Sequence, residues 1–149
     1  MPLIKGNAKH NPPVVVISII PALPHPSGIA SEIPTVAHKG IVCRALLDTG
    51  ADGTSVSRAV AEAAGLQSRG KTLVTGIGGQ HYHRSWVTYL GFHADPDNPG
   101  LPFVLEEPLL AIEMPFYSAF EAIIGRDVLL KGEFVLRSNG DFSLTLPDR

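Results

Sequence analysis

The segment KTLVTGIGGQHYHRSWVTYLGF, Lys71 to Phe92, constrains the fold more than any other. Two β-rich runs flank the glycine-rich tip Gly76 to Gly79, and together they predict one long hairpin. Most of the remaining chain agrees with it. VVVISII, Val14 to Ile20, is β-branched, apolar and bracketed by prolines, and reads as a buried strand. Thr35 to Leu47 predicts a second hairpin, with His38 to Gly40 as its turn and IVCRALL as its second strand. Phe103 to Met114 reads as broken extended structure, Glu121 to Gly125 as a short buried strand, and Phe134 to Leu146 as a hairpin around Ser138-Asn139-Gly140. His93 to Pro102 reads as an exposed loop. Helical spacing is confined to two places. Ser57 to Ala64 puts Val60, Ala63 and Ala64 on one face, with Gly65 as terminator, and Arg126 to Gly132 allows one or two turns. Thirteen prolines and fifteen glycines suit short strands better than long helices. The expected class is therefore all-β with two short helices. Residues 1–13 read as a loose N-terminal arm, and 14–149 as a single domain.

Several functions are disfavoured by what the chain lacks. A net charge of −2 and a pI near 6.3 leave no basic stripe for nucleic acid and no basic amphipathic face for a membrane. No apolar run approaches the roughly 18 residues of a membrane span. Lys5, Lys9 and His10 before the first apolar run imitate a signal peptide, but the run is short and bracketed by prolines. The single cysteine, Cys43, excludes an internal disulfide framework and fits a reducing, cytoplasmic setting. It reads as a small buried apolar residue. His81 and His83 share one face of a strand, as a metal pair could, yet no third or fourth ligand is evident. No metal and no cofactor is expected.

One carboxylate stands apart. In ALLDTGADGTSVS, Ala45 to Ser57, an apolar strand runs directly into Asp48. Burial alone would raise its pKa and leave it neutral, so it becomes a useful base only with a hydrogen-bond network or a second titrating partner. Gly50 permits close backbone approach, and Thr49 brings a hydroxyl. This is the setting for two carboxylates that share one proton. Asp95, Asp97, Asp141 and Asp148 lie in loops, a turn and the terminus. A second acid must then come from another copy of the chain across a two-fold axis. A weak internal repeat is also present. ALLDTGAD and AIIGRDVL both read as strand, glycine-containing loop and short helix, and only the first carries an acid at the loop.

Three motifs in order, LLDTGAD, GIGGQ (Gly76 to Gln80) and AIIGRDVL (Ala122 to Leu129), resemble the retropepsin-like (retroviral-type) aspartic peptidases over roughly Thr35 to Leu146. The resemblance implies a closed, β-barrel-like subunit with a flap hairpin, and a homodimer in which each subunit supplies Asp48. Asp48, Thr49 and Gly50 take the catalytic positions. Ala51, Asp52, Gly76, Ile77, Gly78 and Gly79 take substrate-binding ones, and Asp52 with Arg126 matches a structural ion pair. The implied activity is hydrolysis of extended peptides, preferentially between apolar residues, with a peptide or protein substrate as the other partner. A non-catalytic dimer of the same fold that binds extended peptides is the alternative, and an autoprocessing domain of a longer polyprotein a third reading. Two departures stand out. The chain has a longer N-terminal arm and an extra segment around His93 to Phe116. Asp127 also follows Arg126 where viral members often carry a neutral residue, and a helix-start cap is its expected role.

Overall fold

In the computed structural model, which describes residues 2–22, 40–76, 78–95, 100–115 and 119–147, the apolar runs pair into two sheets. In chain order the elements are β1 (Leu3–Asn7), β2 (Val14–Pro21), β3 (Ile41–Leu47), β4 (Ser55–Ser57), α1 (Arg58–Ala63), β5 (Gln67–Gly76), β6 (Gly79–Phe92), β7 (Phe103–Val104), β8 (Leu109–Met114), β9 (Ala122–Ile124), α2 (Arg126–Leu129), β10 (Glu133–Leu136) and β11 (Asp141–Thr145). The larger sheet runs β2-β3-β9-β4-β8-β6-β5, and β2 also pairs with β6, so six strands close into a ring from which β5 extends. The expected class holds: mostly strand, with two short helices. The barrel-like subunit is this ring, and it is mixed, with β3–β9 and β4–β8 parallel.

Alternation builds the ring's core. On β3, Cys43, Ala45 and Leu47 point inward while Val42 and Arg44 do not. Ile17, Ile19, Leu90 and Ile124 are fully buried with them, each contributing about 2 kcal/mol of apolar burial. Trp86 packs into the same cluster. Burial drives the Cys43 thiol up to about 12, with the nearby Glu121 carboxylate adding to the effect. At neutral pH it is a protonated, inert core group.

The smaller sheet has the order β1-β11-β10. Residues expected to form a loose arm thus include a strand: β1 pairs antiparallel with β11 from Leu3↔Thr145 to Asn7↔Asp141. Ile4 and Leu144 are buried beneath it, which is why the segment is held. With β10 on its other side, β11 has both edges hydrogen-bonded within the chain. The β10–β11 turn closes on Gly140 at φ +92°, and Asn139 keeps a negative φ.

Other expectations shift in detail. In α1, Ser57 caps the start by accepting from the Val60 N–H, and the buried residue is Ala61 rather than Ala63. His93 is buried rather than exposed, because its Nε2 sits 2.7 Å from the buried Ser18 Oγ and its N–H donates to the Val16 carbonyl. The expected turn at His38 and Lys39, the loop residues Pro96 to Pro99, and Phe116 to Ser118 lie outside the described residues.

Candidate active site

The two halves of the internal repeat lie side by side. β3 and β9 are parallel neighbours, with Ala45↔Ala122, Leu46↔Ile123 and Leu47↔Ile124 in register. The next position is Asp48 in one copy and Gly125 in the other. Asp48 is half-buried at the strand end. Its N–H donates to the Ile124 carbonyl at 2.9 Å, and its Oδ1 accepts from the Gly50 N–H at 2.8 Å. A Cβ on Gly50 would lie 3.2 Å from that oxygen, so the bare backbone is what lets the loop wrap the carboxylate. Thr49 is exposed at the loop apex, Ala51 is partly buried and Asp52 is exposed.

The loop is held from behind by α2. The Arg126 N–H donates to the Ala51 carbonyl at 2.8 Å, and its Nη1 donates to the Thr49 carbonyl at 2.7 Å. Its Nη2 pairs with Asp52 Oδ1. Because the Asp52 side chain is 93% exposed, that ion pair contributes roughly 0–1 kcal/mol. The bonds to the backbone carbonyls are what position the loop. Gly125 is required by contact. A Cβ there would meet the Gly53 carbonyl oxygen at 2.5 Å and the Ala51 oxygen at 2.9 Å, both backbone atoms that cannot rotate away.

Asp127 does not cap α2, whose N-cap is Gly125 and has no side-chain cap bond. It reaches instead to the fully buried Thr54, accepting from its N–H at 3.1 Å and from its hydroxyl at 2.8 Å. The Thr54 hydroxyl in turn accepts from the Gly125 N–H at 3.3 Å. Thr54 and Asp127 therefore lock the far end of the loop. Sequence reading passes over Thr54. Its only signals are a hydroxyl residue leading into β4 and a second acid just after Arg126.

The hairpin of β5 and β6 pairs from Gln67↔Val87 to Gly76↔Gly79. Gly76, Gly78 and Gly79 form its exposed tip, and Ile77 lies outside the described residues. Tyr82 and Leu73 are cross-strand partners on one face, 70% and 47% exposed, whereas on the other Thr72, Val74 and His83 are partly covered and His81 is exposed.

Comparison with known proteins agrees with this geometry. The chain superposes on EIAV protease in complex with the inhibitor HBY-793 with a TM-score of 0.52 at 18% identity, covering 88% of this chain and 99% of that one. The fold is that of the retropepsin-like aspartic proteases. Residues 35–90, which hold the Asp48 loop and the hairpin, match the family model described as aspartyl protease. A retropepsin-like aspartic protease from Rickettsia conorii aligns at 11% identity and a TM-score of 0.49, covering 97% of this chain and 93% of that one. No curated protein matches the chain.

Proposed function

We propose that the chain is one subunit of a homodimeric aspartic endopeptidase in which two copies of Asp48 face each other across a two-fold axis. The observation that carries this reading is the pairing of β3 with β9. The strands leading into the two loops of the repeat pair side by side, and only the first ends in an acid, which supports a second acid supplied by a second copy. The half-buried Asp48 carboxylate, fixed by Gly50 and Ile124, suits a proton-sharing pair.

The two acids hold one proton and one water between them. The ionised carboxylate takes a proton from the water as its oxygen attacks the peptide carbonyl carbon. The protonated carboxyl gives its proton to the carbonyl oxygen, forming a tetrahedral diol. On collapse the C–N bond breaks as the amine takes the proton that the first carboxyl drew from water, a diol hydroxyl returns its proton to the second, and the products are a carboxylic acid and an amine. Thr49, at the loop apex, braces its counterpart across the axis. Gly50, Ala51 and Asp52 line the cleft floor. The hairpin, with Gly76, Ile77, Gly78 and Gly79 at its tip, acts as a flap and pairs with the extended peptide as an added strand. Asp52 and Arg126 stiffen the cleft edge.

The test is digestion of a peptide library by wild-type protein and by Asp48→Asn, with sedimentation giving the mass of each. Cleavage should fall by at least about a thousandfold, with the dimer and its thermal unfolding retained. Equal cleavage by the variant would sink the assignment. Tight peptide binding by a wild-type dimer that cleaves nothing would support a binding module of the same fold instead.

A further inference from the structure

The hairpin is the positive element of a chain whose net charge is −2. From Gln67 to Phe92 it carries Arg69, Lys71 and Arg84 and no aspartate or glutamate. Two of these cations stand directly opposite one another. Lys71 pairs with Arg84 in the β5–β6 register, on the same face as Leu73↔Tyr82 and Thr75↔Gln80. All six of these residues are exposed. Like charges in directly opposed positions of a sheet destabilise it. Relief is slight here. Arg84 reaches Glu113 at 4.0 Å with half of its side chain exposed, and among the described residues no carboxylate pairs with Lys71.

The backbone supplies a second observation. β5 ends the larger sheet: it is bonded to β6, and among the described residues no strand lies along its other edge. The bulge between Ser68 and Lys71, where Gly70 takes φ +79°, interrupts the register, so the regular part of that edge runs from Lys71 to Gly76. That is the length of an ordinary strand, and its outward N–H and C=O groups are a template for one more. A lysine on a free edge ordinarily keeps further strands away. Here the same lysine is a selector. A strand that brings a carboxylate beside Lys71 offsets the repulsion from Arg84 and gains a charge-assisted hydrogen bond. Two residues along the same face, Leu73 and Tyr82 are 47% and 70% exposed, and an apolar side chain at that point of the strand covers them.

We propose that the free edge of β5 docks an extended acidic segment of a partner protein. The segment adds to the sheet as one more strand, with an Asp or Glu beside Lys71 and an apolar residue two positions away beside Leu73. That spacing is the one by which alternate residues of a strand share a face. The inference goes beyond the peptidase reading and does not need it, since neither the Asp48 loop nor the glycine tip takes part.

The experiment is fluorescence anisotropy of a labelled peptide with a Glu-Thr-Leu core in a threonine-rich sequence. It is titrated with Asp48→Asn protein, so that no cleavage intervenes. Replacing the peptide's Glu with Gln should weaken binding about tenfold, the scale of one charge-assisted hydrogen bond. N-methylation of alternate peptide amides removes backbone donors and leaves the charge in place, and should weaken binding by at least as much. Adding Lys71→Glu to the protein sets opposite charges across from one another, so its thermal midpoint should be no lower than the parent's. Its affinity for the Glu peptide should nevertheless fall at least about tenfold. Equal binding of the Glu and Gln peptides by the parent, or undiminished binding of the Glu peptide by Lys71→Glu protein, overturns the proposal. A lowered midpoint does so too, because Lys71 and Arg84 then do not repel. Full affinity of the N-methylated peptide, or its displacement by a short single-stranded oligonucleotide, makes the surface a general polyanion site instead. Displacement by an uncharged peptidomimetic inhibitor of aspartic peptidases places the peptide at Asp48, which sinks the edge site and leaves the peptidase reading standing.

Discussion

The loop after β3 and the hairpin of β5 and β6 are both connections carrying glycines, but they are held in opposite ways. The loop from Asp48 to Thr54 is bonded at most steps to Ile124, Arg126 or Asp127, and two of its carbonyls lie where a side chain on Gly125 would have to go. The outer half of the hairpin, 71–76 against 79–84, pairs only with itself, while β6 from Ser85 onward joins the ring, and nearly all of β5 is exposed. Under the proposed function, a carboxylate that has to be placed to within about an ångström for its counterpart needs the first kind of support. On the same reading, a flap that admits and covers a peptide needs the freedom of the second. Stability should therefore be sensitive to small changes behind the loop and insensitive to large ones on the hairpin.

The largest effect expected under that contrast is at Gly125. Gly125→Ala drives a methyl into two backbone carbonyls and should cost about 3 kcal/mol in urea unfolding. Wild-type stability would show that the loop and α2 can separate freely. Asp127→Ala comes next. It strands the N–H and hydroxyl of the buried Thr54 and should cost about 2 kcal/mol, with Asp127→Asn losing roughly half as much because its amide oxygen can still accept one bond. Should Asn prove as damaging as Ala, charge rather than hydrogen-bond count would be what Asp127 supplies. The smallest effect belongs to Tyr82→Ser on the hairpin, which should move the thermal midpoint by less than about 2 °C. A drop comparable to that of Asp127→Ala would mean the hairpin is packed as firmly as the loop.

Much of this contrast was legible in the residues, and the rest was hidden for identifiable reasons. The long hairpin, the strand entering Asp48, the two short helices and the repeat that becomes the β3–β9 pair all show as local pattern, because strand alternation and glycine punctuation are local. What stayed hidden depends on distant partners. Asp127 looks like a helix cap because the sequence gives no sign that Thr54, more than seventy positions earlier, waits beside it. His93 sits among loop-forming residues, and the buried Ser18 and the Val16 carbonyl, both on β2, hold it inside. The first thirteen residues read as an arm because five residues with a lysine and a glycine make a poor strand alone, and β11 is needed to complete them.

That completion bears on how the molecule is made. A chain whose C-terminal strand needed a partner's strand to finish its sheet would reach its native form only at the rate of molecular encounter. Here β11 finds both neighbours in its own chain. The small sheet is complete without a second copy, so the refolding half-time should be the same in dilute and concentrated solution, and a half-time that shortens with concentration would show that a partner's strand is needed after all.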